Sequence, residues 1–162
     1  MDNKSLLKIW NLNKCGGVMG IFNCQGTGSW PGLEILRSST GALTRLSKEE
    51  SLDITLKVLH CDVFTESPIK VNNQIIQFAP IGLTNMYNSG GAVEAVESSS
   101  SSGSKIHIRG RGGGDFGAYS NLKPKSCSIN SEDLKFQFRE KDNIFGIAIP
   151  AKSSSWDMTI CY

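Results

Sequence analysis

Apolar side chains in this chain recur at every second position and hardly anywhere at the three-to-four spacing of a helix. Leu52, Ile54, Leu56 and Val58 alternate with Asp53, Thr55 and Lys57. Ile106 and Ile108, then Leu134, Phe136 and Phe138, then Ile147 and Ile149 repeat the pattern. Successive residues of a strand face opposite sides of a sheet, so this alternation describes strands with one buried face. After Val58 the apolar phase moves by one residue, to Leu59, Cys61 and Val63. A one-residue shift within a strand is what a β-bulge produces, and a bulge is expected there.

The remaining segments follow the same logic. LLKIWNLNKCGGVMGIFNCQG reads as two strands, near Leu6 to Leu12 and Val18 to Asn23, with Gly16 and Gly17 in the turn between them. Lys141, Asp142 and Asn143 separate the β-rich runs KFQFR and IFGIAIP as a hairpin, and Trp156 to Tyr162 reads as a closing strand. One short helical turn is expected in SKEES, Ser47 to Ser51. Residues 98–104, nearly all serine, carry nothing that packs a core and read as a flexible loop. Regular strands divided by Gly, Asn and Pro predict an all-β fold, an antiparallel sandwich or barrel. No boundary divides residues 1–162, so one β domain is expected.

Composition narrows the function classes. With 17 basic and 15 acidic residues the formal charge is +2, too little to mark a nucleic-acid partner. No stretch approaches the roughly 20 apolar residues of a membrane helix, and the N-terminus lacks the apolar core of a secretory signal. The five cysteines, Cys15, Cys24, Cys61, Cys127 and Cys161, form no C-x-x-C, and His60 and His107 stand far apart. Neither a disulfide framework nor a metal site is expected, and each Cys reads as a small buried hydrophobe in a reducing compartment.

Three constellations invite a functional reading, and each has a plainer one. Gly112, Gly114 and Gly117 match G-x-G-x-x-G, but a dinucleotide site needs a helix next, and AYSNLKPK with Pro124 is not one. A glycine-rich turn flanked by solvated arginines is expected, with no cofactor. Asp62, Glu94, Glu97, Asp115 and Asp157 are the acids nearest to hydrolytic chemistry, which needs two carboxyl groups facing one bond. Nothing in the spacing pairs them, so solvated carboxylates are expected and no catalytic residue is assigned. Trp10, Trp30, Tyr87, Tyr119 and Trp156 would stack on sugar rings if they shared one face. Core packing is the plainer expectation for Trp10 and Trp156.

Five segments together resemble a known plant family. They are LLKIWNLNK (Leu6 to Lys14), GIFNCQGTG (Gly20 to Gly28), LDITLKVLHCDVF (Leu52 to Phe64), QFAPIGLTNMYNSGGAVE (Gln77 to Glu94) and GDFGAYSNLKPKSC (Gly114 to Cys127). In this order they resemble the raffinose synthase family of glycoside hydrolase family 36, which includes stachyose synthase, alkaline α-galactosidase and seed imbibition proteins. The resemblance is to the portion after the catalytic (β/α)8 barrel, an antiparallel β-sandwich-like C-terminal domain. It implies an accessory β domain of a cytoplasmic galactosyltransferase or α-galactosidase. The barrel of the same chain would be its partner, met near Leu6 to Trp10. The two catalytic aspartates would belong to that barrel, so none is carried onto this chain. Galacto-oligosaccharides are the implied ligand class, with no cofactor, metal, nucleic acid or membrane.

The chain also departs from the family pattern. Only ten residues lie between Trp30 and Gly41, where the family has a longer stretch containing Cys and acids. GSWPGLE stands where the family continues GW-C. A sandwich short of one or more strands is therefore expected. Two other readings remain open at this stage: a free-standing lectin-like module, and an interaction partner of full-length paralogues.

Overall fold

The computed structural model describes residues 5–10, 17–23, 32–47, 50–57, 59, 61–99 and 104–162. Among these, sixteen strands form four sheets, and every neighbouring pair runs antiparallel. The N-terminal sheet has the order β1 (Ser5–Trp10), β6 (Cys61–Pro68), β3 (Gly32–Arg37), β4 (Ala42–Ser47), and a ribbon pairs β2 (Gly17–Asn23) with β5 (Ser51–Leu56). The central sheet runs β14 (Gln137–Arg139), β15 (Ile144–Ile149), β11 (Gly114–Ser120), β8 (Ile76–Leu83), β7 (Lys70–Asn72). The outer sheet runs β13 (Glu132–Asp133), β12 (Ser126–Ile129), β16 (Ser155–Cys161), β10 (Lys105–Arg111), β9 (Val93–Ser99). The helical content among these residues is one 3-10 turn, Ser89–Ala92, capped by the Asn88 side chain.

Three apolar clusters stack these sheets in the order outer, central, N-terminal, ribbon. The largest joins the outer and central sheets through Ile106, Ile108, Met158 and Ile160 on one side and Phe78, Phe116, Phe145 and Ile147 on the other. A second holds the N-terminal sheet to the ribbon through Leu33, Ile35, Leu46 and Phe64 against Ile54 and Leu56. The third lies between them, with Leu36 of β3 against Ala79, Ile81, Tyr119 and Ile144 of the central sheet. The alternation seen in the sequence is what makes this stacking possible. Within β11, Phe116 and Ala118 face the outer sheet while Tyr119 faces the N-terminal sheet. The antiparallel sandwich-like fold is therefore as expected.

The turn signals hold for the last hairpin and differ elsewhere. β14 pairs with β15 around residues 140–143, with Asn143 at φ 58°. The phase shift after Val58 is not a bulge. Leu59, at φ 57° and exposed, ends one strand before another begins, and β5 and β6 pair with different partners. Each strand sets its own phase, so Asp62 and Phe64 are buried where Cys61 and Val63 were expected.

Other boundaries shift too. β1 and β2 lie in different sheets, Gly17 opens β2, and Gly16 lies outside the described residues. Ser47 and Ser51 belong to strands, and between them the Glu50 N–H donates to the Ser47 carbonyl at 3.1 Å. Lys48 and Glu49 lie outside the described residues. Leu134 and Phe136 pack on the large core without being in strands. Ser98 and Ser99 of the serine run are strand residues, opposite Ile106 and Lys105 of β10, whereas 100–103 lie outside the described residues.

Phe116 sits at the centre of the largest core, 1% exposed, with the rings of Trp156 and Phe145 edge-on at 5.6 and 6.5 Å. Phe116→Ala removes that ring and leaves a cavity, so a loss of about 3–5 kcal/mol is expected. Urea denaturation followed by tryptophan fluorescence reads it.

Candidate functional site

Of the sequence-flagged acids, Glu97 and Asp157 line one recess, and Asp62 and Asp115 stand elsewhere. Asp62 is buried, against expectation, because two partners distant in sequence neutralise it. The Arg37 Nε and Ser39 Oγ each donate to its carboxylate at 2.5 Å, and the Val63 N–H donates at 2.9 Å. Burial pushes this carboxyl up, but the hydrogen bonds from Ser39, Arg37 and the backbone outweigh it and hold Asp62 below its ordinary range. Glu94 and Glu97 lie on the exposed side of β9 beside Arg111 and Arg109, at 3.9 and 3.3 Å, as solvated pairs.

Glu97, His107, Arg109 and Asp157 do come together on the outward face of the outer sheet, where they line an open recess. His107 Nδ1 lies 3.1 Å from Thr159 Oγ1. The register places Asp157 opposite Arg109 and Glu97 opposite His107, so the two carboxylates stand on strands either side of β10. This is a charge-balanced solvated face.

The glycine run is a turn between β10 and β11, and a strand follows it, not a helix. Gly112 takes φ 77°, and a Cβ at Gly113 would fall 2.2 Å from the Pro150 carbonyl oxygen. The aromatics also disperse. Trp156 is buried with its Nε1 donating to the Gly112 carbonyl at 2.8 Å, Tyr119 is buried between sheets, and Tyr87 is 74% exposed. Trp30, His60, Cys15 and Cys24 lie outside the described residues, as does the side chain of Trp10. Cys127 is buried as expected, and burial, with Cys161 and Asp133 nearby, pushes its thiol up to about 12, which makes it unreactive. Cys61 is exposed and departs from the buried expectation.

What the sequence reading missed is a polar seam in the third core. Glu34 faces inward from β3, directly opposite Arg45 of β4, and accepts from its Nε at 2.6 Å. The Arg45 guanidinium lies 3.7 Å over the Tyr119 ring, and its Nη2 donates to the Asp142 carbonyl at 3.2 Å. Burial raises the Glu34 pKa, and Arg45 offsets this only in part. The seam therefore joins three strands from two sheets. The available signal was a Glu and an Arg at matching positions of two runs joined by the turn SSTG.

Beside the seam is a recess of about 390 Å3 between the β3–β4 turn and the face of the central sheet. Its floor is bare at Gly146, and the Thr84 side chain lies over Gly117. Gly117 of β11 stands directly opposite Gly146 of β15, and Asp115 opposite Ala148. Lys135, Gln137 and Arg139 form one bank, Asp115 and Thr84 the other, and Leu43 and Ile144 close one end. Thr84 is held by its N–H and hydroxyl, both donating to the Asp115 carbonyl at 2.7 and 3.0 Å. Arg139 is paired with Asp142 at 2.9 Å. The lining offers donors and acceptors in near balance.

Comparison with known proteins agrees with the resemblance. The family described as raffinose synthase or seed imbibition protein Sip1 matches residues 1–34 and 33–149. The probable galactinol–sucrose galactosyltransferase 1 of Arabidopsis thaliana is 34% identical over 98% of this chain and 27% of its own length. The probable galactinol–sucrose galactosyltransferase 6 of Arabidopsis thaliana is 35% identical over 85% of this chain and 23% of its own. Stachyose synthase of Pisum sativum is 32% identical over 85% and 20%. The chain thus spans about a quarter of the length of these relatives.

The two buried carboxylates respond to pH in opposite senses. Asp62, held low, contributes stability that is present above its ordinary value of 3.8 and lost as pH falls through its lower folded value. Asp62→Asn should cost about 2 kcal/mol at pH 7, a charge-assisted hydrogen bond, and the gap should close in strong acid. Glu34, held high, binds its proton more tightly when folded. Wild type should gain on Glu34→Gln as pH falls from 7 towards 4.5 and level off below. Thermal melts of both variants across pH check both signs.

Proposed function

The chain belongs to the raffinose synthase or seed imbibition protein family, and from that membership we propose that it is the C-terminal accessory β unit of a galactinol–sucrose galactosyltransferase-like protein. The observation that carries this reading is the mismatch of lengths. Nearly the whole chain aligns, at 34% identity, to only 27% of a relative's length. The distribution of carboxylates supports a non-catalytic role: Asp62, Glu34, Glu94 and Glu97 are each paired with an arginine. In the parent protein the unit would cover apolar surface of a catalytic barrel and hold it rigid, with residues 1–162 acting as one body. The parent's substrates would be galactinol, sucrose and related galacto-oligosaccharides, handled in the cytoplasm. That the family match comes in two pieces meeting at residues 33–34 supports a chain shorter than its relatives in the matched region.

The purified chain is expected to release or transfer no galactose from raffinose or from galactinol with sucrose, measured by chromatography against a heat-inactivated control. Grafted in place of the matching segment of a full-length relative, it should leave the chimera soluble and active. Turnover by the isolated chain would overturn the accessory reading.

A further inference from the structure

The recess beside the seam is a place that the accessory reading leaves unused, and the geometry points to a binding subsite for a neutral saccharide in it. The first argument is shape. The N-terminal sheet packs on the central sheet through Leu36 and Leu43 against Ile144, Tyr119, Ala79 and Ile81. One row further along, the paired positions are Gly117 and Gly146; the Thr84 side chain lies over Gly117, and the face is bare backbone at Gly146. A Cβ at Gly146 would meet only the Phe116 carbonyl oxygen, at 3.9 Å, so the space above it is open and not filled by a neighbour. Strands lie about 4.8 Å apart, so the open floor from the Gln137 bank across Gly146 to the Thr84 side chain over Gly117 is about 10 Å wide. One pyranoside ring fits between them with its apolar face on the floor at Gly146.

The second argument is charge. Lys135 and Arg139 on one bank are balanced by Asp115 on the other and by Asp142, which pairs with Arg139. Such a site has no net field to select an ion. It does present an amide, a carboxylate, a hydroxyl and an ammonium around one flat floor, the mixture of donors and acceptors that vicinal hydroxyls satisfy. Gln137 is well placed for this role: it stands opposite Gly146, exposed, with its amide beside the floor. The third argument is rigidity. Arg45 reaches from the seam to the Asp142 carbonyl, and Thr84 is fixed by two hydrogen bonds to one carbonyl. Both ends of the recess are therefore tied down before a ligand arrives, which lowers the ordering cost of weak binding. The inference rests on the accessory reading for its choice of sugar.

The test is titration of the full chain, isotopically labelled, with raffinose, and with glycerol as a small polyol control. The backbone amide signals of Gly117 and Gly146 should shift saturably with raffinose and not with glycerol. Gly146→Leu fills the floor at a position with room for a Cβ and should weaken binding about tenfold or more while the melting temperature holds. Gln137→Ala, on the exposed bank, should weaken it less and is insensitive to any packing fault in the first variant. No saturable shift at these glycines, or equal binding by both variants, overturns the subsite. Free galactose appearing in the raffinose sample would sink the accessory reading instead, so the two failures are distinguishable.

Discussion

The central sheet must be buried on both faces, and the rest of the structure is arranged around that requirement. Sheets inside layered folds are commonly apolar on both sides, and the cost of exposing either side is high. Here β8 and β11 divide the work residue by residue. Phe78, Phe116 and Ala118 enter the outer core, and Ala79, Ile81 and Tyr119 enter the inner one. The outer sheet covers one face with strands seven residues long at β9, β10 and β16, and its one register shift lies between Arg109 and Gly110 where β10 meets β9. The N-terminal sheet covers the other face only in part. That asymmetry produces both the seam and the recess.

The strands themselves were legible from the sequence because alternation is local. Ile106 and Ile108, or Ile147 and Ile149, announce a buried face with no knowledge of what lies across it. What alternation does not encode is the partner sheet. The segment from Leu52 to Val63 looked like one bulged strand because two strands of opposite phase follow each other closely. The left-handed turn at Leu59 separates them and sends them to different sheets. Buried acids were missed for the same reason. Asp62 is hidden by Arg37, 25 residues away, and Glu34 by Arg45, 11 residues away. Local polarity suggested solvent at both positions. Leu134 and Phe136 show the converse, since side chains can alternate into a core from an irregular backbone.

The family resemblance was legible for a different reason: two of its five segments fall on strands that have neighbours on both edges. The QFAPIGL segment forms β8, with Gly82 at φ 100° and no room for a Cβ against the Ser89 carbonyl. GDFGAYS forms β11, which has neighbours on both edges. The two family-matched segments meet at residues 33–34, and these lie in β3, paired on both sides by β4 and β6. Leu33, Ile35 and Leu36 are all buried there.

Glu34 is buried while Arg45 is 41% exposed, and an ion pair that desolvates one partner and leaves the other in solvent contributes little net stability, so the seam needs another justification. Its geometry supplies one. An apolar contact between Leu36 and Tyr119 would tolerate sliding of the N-terminal sheet along the central one, since dispersion is non-directional. Glu34, fixed to Arg45, and Arg45, stacked on Tyr119 and bonded to the Asp142 carbonyl, do not tolerate it. The pair thus sets the register between layers more than it adds to their cohesion. Asp142 belongs to the turn that carries Arg139, and Arg139 stands on the bank of the recess. The same contacts that lock the layers therefore fix the width of the uncovered strip beside them. A sheet that left its neighbour partly bare without such a lock would have an opening of no defined size.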